Sequence, residues 1–64
     1  MTVIVYDYTE AEGKIIMEDY DYNKSDAIML CNVDLITIDS QDYEIFETKM
    51  TAHAAKLQVA VRKH

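Results

Sequence analysis

Three oxygen-bearing side chains at alternate positions form the most specific chemical pattern in the sequence. Asp19, Asp21 and Asn23 reproduce the D-x-D-x-N opening of a calcium-binding loop, in which such oxygens coordinate the ion. The rest of the loop is missing, because Lys24 stands where the sharp turn requires glycine and Leu30 stands where the bidentate glutamate is required. The flanking segments also have the pattern of strands instead of helices. We therefore expect no metal site and no bound cofactor.

Side chains that serve as nucleophiles or general bases are few and scattered. The candidates are Ser25, Cys31, Ser40, His53 and His64. Nucleophilic catalysis requires a base within hydrogen-bonding distance and a group that orients the base, and no spacing among these residues indicates such a set. We interpret His53 and Cys31 as partly buried packing residues. The sequence predicts a protein that is not an enzyme.

The most distinctive surface chemistry combines tyrosine with carboxylate. Each of the five tyrosines is adjacent in sequence to an acidic residue. Tyrosine is a rigid interface anchor with an apolar body and a polar tip, and carboxylates around it suit a partner rich in Arg and Lys. The predicted partner-binding residues are Tyr6, Asp7, Tyr8, Glu18, Asp19, Tyr20, Asp21 and Tyr22.

This composition predicts non-catalytic protein binding. Its most concrete form is a small acidic inhibitor that occupies a basic, nucleic-acid-binding surface of a partner protein by imitating a phosphate array. Direct binding of nucleic acid is not expected, since phosphate contacts require clustered Lys and Arg and the formal net charge is −6. In the simpler alternative, the tyrosines are ordinary strand residues of an acidic domain.

A long C-terminal helix is the clearest predicted element. From Ile38 to His64, apolar residues recur three and four positions apart, as on one face of an α-helix. Asp39 can act as its N-cap, and acids early and bases late suit the helix dipole. The spacing predicts a helix over about residues 40–62, whose stripe is Tyr43, Phe46, Met50, Ala54, Leu57 and Val61. In an alternative, residues 43–47 are a strand and the helix begins near Thr48.

Three strands are predicted before this helix. Residues 2–8 are β-branched and aromatic, residues 14–20 alternate after a turn, and residues 27–38 alternate with a bend near Asp34. Gly13, the one glycine, is the expected position of a positive φ. Ser25 or Asp26 could instead cap a short helix after residue 26, but we favour the strand.

The predicted fold class is α+β in a single domain of residues 1–64. It consists of a small three-stranded antiparallel sheet in β-β-β-α order, with the long amphipathic helix packed on one face. A chain of this length buries only about 60% of its unfolded surface, so its stability margin is thin.

An uncovered sheet face and a second strip on the predicted helix favour a homodimer. The strip of small residues is Ala52, Ala55 and Val59, and a lysine edge consists of Lys49, Lys56 and Lys63, spaced by seven. Alanines that merely favour helix and lysines on a solvated face are the simpler interpretation. All 12 acids lie in residues 1–47, whereas residues 48–64 carry only bases. The alternative function is therefore a homo-oligomeric structural subunit, in which the acidic body of one copy meets the basic helix end of another.

Cysteine content and hydropathy bear on the compartment. Cys31 is the only cysteine, which excludes an internal disulfide and suggests a reducing compartment. No apolar run approaches the length of a membrane span, and the N-terminal segment resembles a strand more than a signal peptide. We therefore expect a cytoplasmic protein with no membrane partner.

Overall fold

A computed structural model describes all 64 residues and consists mainly of one five-stranded mixed sheet. The predicted three-stranded antiparallel sheet in β-β-β-α order is therefore wrong, because the C-terminal segment adds two strands and one of them pairs in parallel with the first strand. The elements are β1 (Thr2–Asp7), β2 (Lys14–Asp19), helix α1 (Lys24–Leu30), β3 (Leu35–Ile38), β4 (Gln41–Thr51) and β5 (Lys56–Lys63). A 3-10 turn (Ala52–Ala54) joins β4 to β5. The strand order is β2-β1-β5-β4-β3, so the last strand lies in the centre, parallel to β1 and antiparallel to β4.

The predicted helix over residues 40–62 is wrong, because this segment forms β4, the 3-10 turn and β5. In β5, the side chains of Leu57, Val59 and Val61 are fully buried and alternate with more exposed residues. An extra residue, Phe46, makes a β-bulge in β4, and the bulge and the turn each shift the phase of the alternation. The two strands together therefore imitate the spacing of one helix face.

The start of the predicted helix is instead a tight hairpin. Asp39 and Ser40 have φ values of 49° and 67° and connect β3 to β4, whose residues Ile38 and Gln41 are paired. Positive φ at both loop residues is what a type I′ turn requires. The predicted strand over residues 43–47 does lie within β4, but no helix begins at Thr48.

The predicted third strand over residues 27–38 is also wrong in its first half, which belongs to α1. The cap is neither Ser25 nor Asp26: Asn23 Oδ1 accepts the backbone N–H groups of both, at 2.9 and 3.2 Å. Ala27 is fully buried, yet Ile28 and its neighbour Met29 are 54% and 62% exposed. Because α1 is apolar on more than one side, its residues matched a strand pattern as well as a helical one.

The core lies between α1 and one face of the sheet. Val3 and Val5 in β1 pair with Leu57 and Val59 in β5, and all four are fully buried. Ala27 joins this cluster from the helix, which places α1 over that face. No helix covers the opposite face, which we call the open face. None of the helices has the length and apolar character needed to cross a membrane.

Candidate functional site

Three aromatic side chains meet on the open face, and we call Tyr6, Tyr8 and Phe46 the aromatic cluster. The ring centroids of Tyr6 and Tyr8 are 6.5 Å apart, and those of Tyr8 and Phe46 are 5.9 Å apart with the rings edge to face. Phe46 lies on this face because the preceding residue, Ile45, packs against the core, and the Phe46 ring reaches across β5 to Tyr8. Tyr8 and Phe46 remain 43% and 44% exposed.

Polar side chains of β5 and β4 hold the cluster in place. The Arg62 guanidinium carbon lies 4.4 Å from the centroid of the Phe46 ring, and Arg62 Nε lies 3.4 Å from Glu44 Oε1. Gln58 Nε2 donates to the Tyr6 hydroxyl at 3.3 Å. The ion pair is about half exposed on both sides, so it contributes no more than about 1 kcal/mol. Its main effect is to restrain the guanidinium over the ring.

Gly13 determines where the Tyr8 ring can lie. A Cβ atom at this position would be 2.5 Å from Tyr8 Cζ and 2.9 Å from its hydroxyl oxygen. The predicted positive φ at Gly13 is wrong, because only Asp39, Ser40 and Ala55 have one. The glycine is required here for a close approach of the ring and not for an unusual backbone conformation.

A shallow cavity of about 290 Å³ lies beside the aromatic cluster on the open face. Its size suits one inserted side chain more than a cofactor, since cofactor sites usually exceed this volume. No group of three or more His, Cys, Asp or Glu side chains is arranged to hold a metal ion. The lining residues are Tyr6, Tyr8, Glu47, Lys49, Gln58 and Ala60.

A second patch, which we call the acidic corner, lies where β2 ends and comprises Glu18, Asp19, Tyr20 and Asp21. Asp19 Oδ1 accepts the backbone N–H of Asp21 at 2.9 Å, and the Tyr20 hydroxyl donates to Glu18 Oε2. This bond and the carboxylate charge raise the pKa of Tyr20, because both favour the neutral phenol. Glu18 pairs with Ile4 and so lies on the open face, while Tyr20 is 70% exposed.

At the other end of β1, Asp7, Thr9 and Lys63 form a hydrogen-bonded link between the ends of β1 and β5, which we call the latch. The hydroxyl of Thr9 donates to Asp7 Oδ1, and the backbone N–H of Thr9 donates to the same oxygen at 2.8 Å. Thr9 Oγ1 also accepts the backbone N–H of Lys63 at 2.8 Å. The hydrogen bond from the hydroxyl is the main reason that the pKa of Asp7 is lowered.

The predicted partner-binding residues thus divide among three places. Tyr6 and Tyr8 belong to the aromatic cluster, residues 18–21 form the acidic corner, and Asp7 belongs to the latch. Tyr22 lies apart from all three, because it packs against the core and its backbone N–H and C=O both bond to Met1.

Phe46, Arg62 and Gln58 were missed as site residues because their segment was assigned to a helix. The alternation of Leu57, Val59 and Val61 with polar or small residues is the sequence signal that could have found Gln58 and Arg62, whereas the bulge breaks the alternation at Phe46.

Two side chains of the calcium-like triplet accept hydrogen bonds from the backbone. Asp19 closes the turn to Asp21, and Asn23 caps α1. The predicted burial of Cys31 and His53 is wrong, since Cys31 follows α1 and His53 lies in the 3-10 turn, and both are exposed. The Cys31 thiol donates a hydrogen bond to the carbonyl oxygen of Ala27 in α1, at 3.8 Å.

The predicted self-association strip and lysine edge do not exist as surfaces. Val59 is fully buried in β5, while Ala52 and Ala55 lie in and after the 3-10 turn. The three lysines, on two strands, do not share an edge: Lys49 is near the end of β4, and Lys56 and Lys63 are at opposite ends of β5. Both surfaces depended on a helix that the chain does not form.

The chain matches no protein-family model, and comparisons with curated proteins and with solved structures give no match either. No relative therefore supplies a function for the open face or the acidic corner.

Proposed function

We propose that the protein is a non-catalytic protein-binding domain that contacts its partner through the open face and the acidic corner. The observation that carries this proposal is the exposure of Tyr8 and Phe46, at 43% and 44%, on a sheet face that no helix covers. Aromatic side chains held rigidly on a surface are typical of interface anchors, because little side-chain entropy is lost when they are buried. The neighbouring cavity would receive one side chain of the partner.

The charge of the acidic corner indicates a basic partner. Asp19 and Asp21 have no ion pair, and the chain carries a net charge of −6. Carboxylates of this kind increase the association rate with an Arg/Lys-rich surface and orient the encounter. The concrete form of the proposal is an inhibitor that occupies the nucleic-acid-binding surface of its partner.

The open face itself has mixed charge, which argues against direct binding of nucleic acid. Arg62 lies beside Glu44, and Lys49 lines the cavity together with Glu47. Phosphate binding favours basic groups that are clustered and free of nearby carboxylates. A reducing compartment such as the cytoplasm is part of the proposal, because the one cysteine, Cys31, is free and exposed.

Assembly of copies through a basic helix end does not apply to this chain, because residues 41–63 form β4, the 3-10 turn and β5. The bases at the ends of β5 lie between β1 and β4, where Arg62 already meets Glu44. Arg62 is therefore already paired with a carboxylate of its own copy.

The acidic corner is tested by the triple variant Asp19→Asn, Tyr20→Ala and Asp21→Asn. Asparagine preserves the turn at Asp19 and removes only charge, so the variant should fold normally. Binding to proteins captured from lysate of the source organism should weaken about tenfold or more, as expected for loss of an anchor worth roughly 2 kcal/mol. Added single-stranded or duplex nucleic acid should displace the captured partner.

A matched control removes two charges elsewhere, through Glu10→Gln and Glu12→Gln in the exposed β1–β2 turn. It should bind as the wild type does at moderate salt. The aromatic cluster is tested by Phe46→Ala, with Met29→Ala on the exposed side of α1 as its control. Wild-type affinity in both the triple variant and Phe46→Ala, with the fold intact, would contradict the proposal.

A further inference from the structure

The outer edge of β4 lacks a neighbouring strand along half of its length. β3 pairs only with residues 41–44, and the last bond on that side is from Ile45 N–H to Asp34 O at 2.7 Å. β4 continues for six more residues, to Thr51. Beyond Ile45 the sheet therefore has a step, with an exposed strand edge.

The direction of the peptide groups follows from the bonds of β5. Tyr8 N–H donates to Val61 O at 2.7 Å, so the peptide groups of Val61 face β1. Because these groups alternate along a strand, those of Ala60 and Gln58 face β4.

The same alternation identifies the unpaired groups of β4. Glu47 and Lys49 are the residues opposite Ala60 and Gln58, so their peptide groups face β5. The N–H and C=O groups of the intervening Thr48, and of Met50, therefore point outwards from the sheet. Two donors and two acceptors in a row form a template for another strand.

We propose that this edge pairs with the same edge of a second copy, antiparallel about a two-fold axis at Thr48. The two five-stranded sheets then join into one continuous sheet. This contact is distinct from the proposed partner binding. It lies at the opposite edge of the sheet from the acidic corner, which is at β2.

Charge complementarity favours a second copy as the occupant of this edge. With the axis at Thr48, Glu47 of each copy lies opposite Lys49 of the other, and both side chains are on the open face beside the cavity. An axis at Lys49 would instead place two ammonium groups opposite each other. The edge is therefore complementary to itself in one antiparallel alignment.

Apolar groups on the other face support the same alignment. Met50, opposite Leu57 and 45% exposed, lies on the face that α1 covers, and it would come between Ile45 and Thr48 of the second copy. A cavity of about 180 Å³ is located there, between the end of α1 and β4, with Leu30, Val33 and Ile45 in its lining. A methionine side chain is flexible enough to fill a cavity of this shape.

Sedimentation equilibrium from low micromolar to millimolar concentration tests the contact with a charge-reversal cycle. Glu47→Lys and Lys49→Glu should each weaken dimerisation roughly tenfold or more, because each converts two opposite-charge pairs into like-charge pairs. The double variant should restore the wild-type association. Glu10→Lys, a reversal in the exposed β1–β2 turn, is the control for net charge and should dimerise at least as well as the wild type.

Amide hydrogen exchange provides an independent readout of the edge. The amide protons of Thr48 and Met50 should exchange more slowly as the concentration rises, while those of Ala52 and His53 should not change. A wild-type chain that stays monomeric over this range overturns the proposal. A dimer in which the amides of Thr48 and Met50 exchange as fast as in the monomer also overturns it. Dimerisation that neither Glu47→Lys nor Lys49→Glu weakens has the same consequence.

Discussion

Two hydrogen bonds to the Asp7 carboxylate make the stability of the fold depend on the charge of this group. Thr9 donates to this carboxylate through both its hydroxyl and its backbone N–H, while its hydroxyl oxygen accepts the N–H of Lys63 at the end of β5. The pKa of Asp7 is lowered from its ordinary value of 3.8, first by the Thr9 hydroxyl, then by the Thr9 backbone N–H, and further by the charges of Lys63 and Lys14. A lowered pKa in the folded state stabilises the fold above the unfolded pKa. This contribution is lost as the pH falls through the folded pKa.

The variant Asp7→Asn should therefore lower the free energy of unfolding at neutral pH by less than about 1 kcal/mol, since the group is partly solvated. The difference from the wild type should shrink as the pH falls from about 5 to about 2, where the wild-type carboxyl is protonated too. Urea denaturation at a series of pH values measures this difference in the free energy of unfolding. Asp34→Asn, at an exposed position, is the control, and a deficit of Asp7→Asn that persisted unchanged at low pH would refute the account.

At the scale of elements, α1 depends on its cap and its packing. A helix of seven residues is too short to be stable alone, because too few hydrogen bonds offset the cost of nucleation. Asn23 satisfies two N–H groups of its first turn, and Ala27 anchors it to the sheet. The cap was assigned to the wrong residue because Ser25 and Asp26 are equally good capping types by composition.

Substituting Asn23 by alanine should lower the free energy of unfolding by about 1 kcal/mol, because two N–H groups lose their acceptor. Asn23→Asp should keep most of the stability, since a carboxylate accepts the same bonds. Chemical denaturation followed by circular dichroism measures both. Asn32→Ala, which removes an exposed bond to Ile28 O at the other end of α1, should cost less. Equal losses for the two alanine variants would show that the N-cap has no special role.

At the scale of the whole molecule, the central position of β5 determines both the core and the charge distribution. Its odd-numbered residues from Leu57 to Val61 form the middle of the core, between β1 and β4. The basic C-terminal segment is therefore inserted into the acidic remainder of the chain. The separation of charge seen along the sequence disappears in the folded molecule, where Arg62 meets Glu44 and Lys63 lies near Asp7.

Leu57→Ala should cost about 3 kcal/mol, because the side chain is fully buried and its removal leaves a cavity. A domain of this size has a total stability of roughly 3–10 kcal/mol, so Leu57→Asp should unfold it. Urea denaturation and the dispersion of amide NMR signals measure the two effects. Leu35→Ala, at a leucine that is 48% exposed, should stay within about 0.5 kcal/mol of the wild type. Comparable losses at both leucines would contradict the placement of β5 in the core.

Local sequence patterns predicted part of the fold and part of the candidate site. The first two strands lie within a residue of the predicted 2–8 and 14–20, because alternation and β-branched residues act within a single strand. The chemistry of the acidic corner was also predictable, since Glu18, Asp19, Tyr20 and Asp21 are adjacent in the chain. The aromatic cluster was only half predictable, because Phe46 and Arg62 come from distant strands.

Local sequence is sufficient for two strands, an acidic turn and the apolar residues of one small core. The remaining features depend on contacts between distant segments. The parallel pairing of β5 with β1 joins residues more than 50 positions apart, such as Val3 and Leu57, and no local pattern encodes such a contact. The bulge at Phe46 and the turn at residues 52–55 shift the side-chain phase, so strand and helix periods cannot be distinguished until the strands pair.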